Sequence, residues 1–224
     1  NPSDRIQPWP QDPRYWMYKG APVLLLGGSV EDNLFQIDRL EEHLDEMIGV
    51  RANYIRNVMS DRDPGNVCAY RRLDDGRFNL EEWGNEYWDR FSRLLELTAE
   101  REIIVQIEIW DRFDHSREPY TNGPYRPANN INYSGEESGL ADAYPAHPAE
   151  DQQPFFHTVP GMAKYHPRYD LLRRYQERFV DKVCSHTLGY GHILYCMNNE
   201  TSTEPGWGRY WIDFIRKRAD AAGV

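Results

Sequence analysis

Apolar positions along this chain switch between a continuous or alternating pattern and a helical one, and each switch marks a new element. Residues 23–28 are apolar without a break (Val-Leu-Leu-Leu-Gly-Gly), which predicts a parallel strand buried on both faces. Residues 34–48 then place Leu34, Ile37, Leu40, Leu44, Met47 and Ile48 at helical spacing. The alternation repeats. A strand is expected at 52–58, then a long helix at 80–101 with Trp83, Tyr87, Phe91, Leu94, Leu95 and Leu97 on its apolar side. Further strands are expected at 103–110 and 192–197, and helices at 168–188 and 207–222. Ahead of all this, alternating aromatics before Lys19-Gly20 predict a short hairpin.

Four strand-then-helix units imply parallel strands joined by right-handed crossovers. Two architectures fit: an open doubly wound sheet, or half of a TIM-type (β/α)8 barrel. Gly27-Gly28-Ser29 does not continue into the G-x-G-x-x-G turn of a dinucleotide site. Polar residues gather instead at successive strand ends: Glu31 and Asp32, Arg56 and Asn57, Trp110, Asp111 and Asp114, then Asn199 and Glu200. Function collects at the carboxyl ends of barrel strands. The expected fold is therefore α/β, one partial β/α-barrel domain over 1–224, with a short N-terminal hairpin. A long loop is expected at about 111–167, rich in Pro, Asn, Tyr and His. Loops of that length are uncommon unless they work, so a lid or groove wall over the third strand's mouth is expected, with Tyr120, Tyr125, Tyr133, Phe155, Phe156 and His157 as candidate contacts. The alternative is a solvated insertion.

The net charge of −10 speaks against nucleic acid, which needs a basic footprint, and against an anionic membrane surface. No apolar run approaches the roughly 18 residues of a membrane span. Seven Trp and 15 Tyr fit either a well-filled core or platforms that stack on sugar rings. Cys68, Cys184 and Cys196 have no zinc spacing; the last two fall in a helix and a strand and read as buried thiols. His115, His157 and His166 lack the i, i+4 spacing of a metal pair, so no catalytic metal and no cofactor are expected. The chain opens Asn-Pro-Ser-Asp without Met. A trimmed export signal accounts for that, as does an internal boundary, and the expected location is secreted or periplasmic.

The chemistry centres on Asn198-Asn199-Glu200, which ends the apolar run His192 to Met197. A glutamate at the mouth of a buried strand, with amides beside it, is what glycosidic cleavage needs from a general acid/base. Burial among apolar strands would raise its pKa into the working range. The alternative is a carboxylate that stabilises the start of the following helix. Glu108 shares parity with Gln106 and Trp110, so all three should point to one face; if that face is the interior, Glu108 either tunes Glu200 or pairs with Arg56. Asp32 lines a subsite or begins a helix, and His115 lies by the third strand's mouth.

Three stretches carry a resemblance. Residues 14–26 look like the opening hairpin and first strand of many sugar-cleaving barrels. Asn53-Tyr54-Ile55-Arg56 is similar to a second-strand motif ending in a site arginine, and Asn199-Glu200 follows the fourth apolar strand. Together they resemble the N-terminal half of clan A glycoside hydrolases, the cellulase-like retaining (β/α)8 barrels. The resemblance implies a glycosidase acting on a poly- or oligosaccharide, with Glu200 as the acid/base and Asn199 bonding the sugar 2-hydroxyl. Arg56 would hold a carboxylate ionised or bond a hydroxyl, and Trp110 would stack on a sugar face or fill the core. Asp32, Glu108 and His115 complete the expected substrate contacts.

The family's nucleophile is a glutamate on the seventh strand, and only about four strands are legible. The expected partners are therefore a carbohydrate substrate and either a second half-barrel or the missing C-terminal half, because a half-barrel leaves strand edges uncovered. A non-catalytic carbohydrate-binding half-barrel, or pseudoenzyme, is the alternative. A third class, an open α/β esterase, is disfavoured by the absence of a G-x-S-x-G elbow.

Overall fold

A computed structural model describes residues 4–200 and 202–224. Three antiparallel strands open the chain: β1 (Gln7–Trp9), β2 (Asp12–Tyr18) and β3 (Ala21–Val23). The predicted turn falls at Lys19 and Gly20, with φ of 50° and 79°, the pair of left-handed residues that a two-residue hairpin requires. Next come α1 (Leu40–Gly49), β4 (Tyr54–Val58), β5 (Tyr70–Arg72), β6 (Phe78–Trp83), α2 (Asn85–Glu100) and β7 (Ile104–Asp111). The chain ends with α3 (Arg117–Asn122), α4 (Gly135–Ser138), α5 (Asp170–Thr187), β8 (Ile193–Asn199) and α6 (Pro205–Ala222).

Strands β4, β7 and β8 form a parallel sheet in that spatial order. The order follows the chain without the reversal that defines a doubly wound sheet. Ile55, Val105 and Ile107 are fully buried, and on that side Asn57 Oδ1 accepts from the Phe35 amide at 3.1 Å and the Tyr195 hydroxyl meets Thr187 of α5 at 2.7 Å. The intervening positions, Tyr54, Arg56, Gln106, Leu194 and Cys196, are half-buried on the opposite face. Period-two alternation thus separates a helix-covered face from an open one. Cys184 is buried as expected, whereas Cys196 sits on the open face and is only partly covered.

The sequence patterns misplace several boundaries. Residues 23–28 do not form a strand buried on both sides. Beyond β3 the segment makes a single parallel bridge, Gly27 to Tyr54, and Leu24 and Leu26 are 66% and 54% exposed, because among the described residues no strand pairs with its outer side. Residues 34–48 divide into a 3-10 turn at Leu34–Gln36 and α1. The expected helix at 80–101 begins only at Asn85. Leu80 and Trp83 belong to β6, which folds back on β5 with Tyr70 opposite Trp83, so the helical spacing of Trp83 with Tyr87 was coincidental.

The stretch 111–167 is neither bare loop nor lid. It carries α3, α4 and several 3-10 turns, and Tyr120, Tyr133, Phe155, Phe156 and His157 are all buried. Side chains replace ladders in satisfying its backbone: the Asn130 amide donates to the Pro124 and Arg126 carbonyls at 3.1 Å each, and the Tyr120 hydroxyl to Ala141 at 2.6 Å. Its aromatics are core, stacked around Trp110, Phe179 of α5 and Trp207 of α6; they are not an exposed array of substrate contacts.

Candidate active site

The carboxyl ends of β4, β7 and β8 share one rim, and a continuous polar network climbs the open face of the sheet to it. The Tyr54 hydroxyl donates to Gln106 Oε1 (3.0 Å) and the Gln106 amide to Glu108 Oε1 (3.2 Å). Arg56 pairs in register with Gln106, two residues before Glu108 on the neighbouring strand. Its Nε lies 3.3 Å from Glu108 Oε2, and its Nη2 is 2.7 Å from Asp32 Oδ1. Arg62, four residues beyond β4, continues the chain. It reaches Asp32 (2.9 Å), Asp111 (2.6 Å) and Asp114 (2.8 Å). Asp111 in turn accepts from the Asn199 amide at 3.5 Å, and the Ser60 hydroxyl donates to Asp114 at 2.7 Å.

The electrostatics arise from burial and pairing. Burial raises the Glu108 pKa, and the Arg56 cation opposes the rise. Burial, helped by the Asp111 carboxylate, pushes Asp114 up to about 7 against the pull of Arg62. Burial works against the Arg62 cation, but Asp114 and Asp111 outweigh it and raise its pKa.

Glu200 stands apart from this network. It comes directly after β8, with φ of +48°, and its side chain is 62% exposed. It contacts Arg112, Nη2 to Oε2 at 3.4 Å. The expected burial among apolar strands is not found, because β8 pairs only with β7 and no described element covers its other side. Asn199, by contrast, is buried and within reach of Asp111.

Two expected substrate contacts lie behind the rim. The β7–β8 ladder keeps one register, with Glu108 opposite Cys196 and Trp110 opposite Asn198. Trp110 nevertheless does not join Gln106 and Glu108 on the open face. Its ring, 3% exposed, packs on Phe179 of α5 (5.3 Å) and Trp211 of α6 (5.6 Å), so it is core and offers no sugar platform. His115 is carried under the insertion by the 3-10 turn Arg112–His115, which Asp111 starts by accepting from the Phe113 amide. It stacks on Phe155 at 3.9 Å, and burial lowers its pKa to about 3. His115, Trp110, Asp114 and Arg62 line a cavity of about 60 Å³, room for a few waters and not for a sugar ring. A groove of about 800 Å³ between the β5–β6 hairpin and α3 adjoins it, bordered by Arg62, Tyr70, Trp83 and Asn122; Glu200 borders neither.

The structure thus gathers Asp32, Arg56 and Glu108, links Asn199 to them through Asp111 and Arg62, and leaves Glu200 on a separate arm with Arg112. Arg62 and Arg112 escaped the sequence reading because they lie in turns without periodicity. Their one signal is acidic company, in Asp61-Arg62-Asp63 and Asp111-Arg112. Among the described residues no group of three or more His, Cys, Asp or Glu side chains is arranged to hold a metal ion, and no helix is long and apolar enough to cross a membrane.

The sheet and the helices along it define an α/β fold of the barrel type, and known structures say which kind. A glycoside hydrolase family 5 mannosidase from Rhizomucor miehei superposes with a TM-score of 0.67 at 12% identity, covering 98% of this chain and 55% of that one. The endo-1,4-beta-mannanase of the same organism gives 0.55 at 10% identity, with 97% and 58% covered. A glycoside hydrolase family 5 protein from Bacteroides vulgatus gives 0.54 at 11%, with 98% and 38% covered. No protein-family model and no curated protein sequence matches the chain. The fold is therefore that of the family 5 barrels, as the resemblance to clan A anticipated, and the chain spans about half the length of the two Rhizomucor miehei structures.

Proposed function

We propose that this chain is the acid/base-bearing half of a retaining glycoside hydrolase that cleaves glycosidic bonds in a poly- or oligosaccharide. In this reading the segment 24–28, β4, β7 and β8 are the first four strands of a (β/α)8 barrel, each followed by its helix. The observation that carries the reading is the position of Asn199-Glu200 at the carboxyl end of β8, on the rim that Arg56 and Glu108 share, within a family 5 fold.

Glu200 protonates the leaving oxygen, Asn199 bonds the sugar 2-hydroxyl beside it, and Arg56 with Asp32 binds hydroxyls further along the rim. The nucleophile is a carboxylate supplied from outside this chain, about 5–5.5 Å from Glu200 as retention requires. The piece that supplies it, a second half-barrel or the C-terminal half, closes against the free edge of β8 and against Leu24 and Leu26, and covers Glu200. That covering supplies the burial that an acid catalyst needs. Such an enzyme works where polysaccharide is met, in a secreted or periplasmic setting.

The exposure of Glu200 favours one competing reading, a carbohydrate-binding half-barrel without catalysis. Aryl glycosides separate the two. In the assembled enzyme, Glu200→Gln should abolish cleavage of poorly activated substrates while an activated aryl leaving group still departs. Unaltered turnover of both substrates would refute Glu200 as the acid/base, and no turnover by the assembled wild type would favour the binding module.

A further inference from the structure

Glu150 lies 50 residues before Glu200 in the chain, inside the insertion. It is 2% exposed. Its Oε1 accepts from the backbone amide of Ser202 at 2.8 Å and from the Ser202 hydroxyl at 3.4 Å. Its Oε2 lies 4.0 Å from Arg112 Nη1, and the other arm of the same guanidinium lies 3.4 Å from Glu200 Oε2. Arg112 is itself only 19% exposed. One buried carboxylate therefore reaches the proposed acid/base from two sides: through the cation on which Glu200 rests, and through the backbone two residues downstream. Between them Glu200 adopts a left-handed φ of 48°, a conformation that a non-glycine residue keeps only where its surroundings hold it.

We propose that Glu150 is a positioning residue for Glu200, fixing the strand-end bend through Ser202 and holding Arg112 in a shared pair. The inference rests on Glu200 being the acid/base group. Its chemical content is a matter of charge. Arg112 alone favours the Glu200 carboxylate and would keep a general acid ionised. A second, buried carboxylate competes for that cation, so its charge is shared between Glu150 and Glu200. The other charged groups around the strand end are already engaged. Asp111 is held by Arg62 and Asn199, the Glu204 carboxylate accepts from the Ala163 amide at 2.9 Å, and Lys164 pairs with Asp151 at 2.8 Å. Arg56 and Glu108 pair deeper on the open face.

The test is a carbon-13 NMR titration of the Glu200 side-chain carboxyl in the intact protein, which needs no turnover. Glu150→Gln should lower the Glu200 midpoint by about 0.5 pH unit or more, and Arg112→Gln should raise it by a similar amount. In the assembled enzyme the basic limb of the pH–rate profile should move in the same directions. A Glu200 midpoint that stays put or rises in the Glu150 variant overturns the proposal. If that variant does not fold, the Arg112 variant decides, and a midpoint that fails to rise overturns it equally. Neither result bears on whether Glu200 is the acid/base, which the Glu200→Gln kinetics address separately.

Discussion

Arg62 Nη1 stands 2.6 Å from Asp111 Oδ2, and this one contact ties the turn after β4 to the end of β7. The Asp111 side chain is fully buried, and that of Arg62 is 17% exposed. Asp111 also receives the Asn199 amide of β8, and Arg62 also pairs with Asp32 from the segment before α1. One arginine thus coordinates carboxylates from three directions, and the relative placement of Asp32, Arg56 and Asn199 depends on it.

Removing that arginine leaves a buried carboxylate without its cation, and the penalty for breaking such a pair is large. Arg62→Ala should lower stability by about 3–5 kcal/mol in urea unfolding. Arg62→Lys should recover part of this, since a point charge replaces the two-armed contact. Combining Arg62→Ala with Asp111→Asn should recover more than the sum of the separate losses allows, because neither partner is then charged and unpaired. A loss below about 1 kcal/mol for Arg62→Ala would mean that Asp111 is not buried against it, as in an exposed pair.

Where the pattern was strong, the sequence was a good guide. The helical spacing in 207–222 and the alternation at 103–110 and 192–197 fall on α6, β7 and β8 within a few residues, because there one face of each element packs on a core and tolerates only apolar side chains. Asp32, Arg56 and Asn199, singled out from strand ends, and Glu108, singled out by strand parity, lie in one network of contacts that runs through Asp111 and Arg62. Three things were hidden. Leu24 and Leu26 are apolar yet exposed, with no described strand packed on them, so their run misreads as burial. Trp110 packs on Phe179 and Trp211 of the helices, a placement that strand parity with Gln106 and Glu108 did not reveal. Arg62, Arg112 and Glu150 act through turns and long-range pairing, to which local periodicity is blind.

Stability should depend on pH through groups both outside the rim and on it. His192 Nε2 lies 3.0 Å from Thr98 Oγ1, whose own proton goes to the Leu94 carbonyl, so Nε2 is the donor in that pair. Burial, with Lys19 adding to it, lowers the His192 pKa to about 4. Against an unfolded value of about 6.5, the unfolded chain takes up the proton first as pH falls. The contribution is intact above about 6.5 and is lost progressively down to about 4. Asp114, raised to about 7, acts in the opposite sense: the folded state holds its proton, so raising pH from about 4 to 7 weakens the fold. His115, lowered to about 3, sides with His192. Burial lowers four histidines (His115, His157, His186 and His192) and raises three carboxyls (Asp61, Glu108 and Asp114), so stability should rise with pH over this interval. His192→Gln, which keeps a donor for Thr98, should flatten that rise by roughly 1–3 kcal/mol between pH 4 and 7, while Asp114→Asn should steepen it. Parallel urea midpoints at several pH values read both slopes, and a His192 variant with an unchanged slope would show that the ring is already charged or already exposed.

The join between segment 24–28 and β4 hangs on one glycine. A Cβ built on Gly27 would lie 1.6 Å from the Tyr54 carbonyl oxygen and 2.6 Å from its carbon, distances that only a shift of one backbone from the other relieves. The same join carries the Asn53 amide donating to Leu26 O at 2.7 Å, the Leu26 amide donating to Asn53 Oδ1 at 2.8 Å and the Asn53 side-chain amide donating to Leu24 O at 3.0 Å. Gly27→Ala should therefore cost about 1–3 kcal/mol, as overpacking does, and should speed hydrogen exchange at the Asn53 amide. At Gly28 a Cβ meets nothing within 4 Å, so Gly28→Ala should stay within about 0.5 kcal/mol of wild type and leave that amide protected. Equal effects of the two substitutions would show that residues 24–28 do not lie against β4, and would remove the first of the four strands on which the half-barrel reading depends.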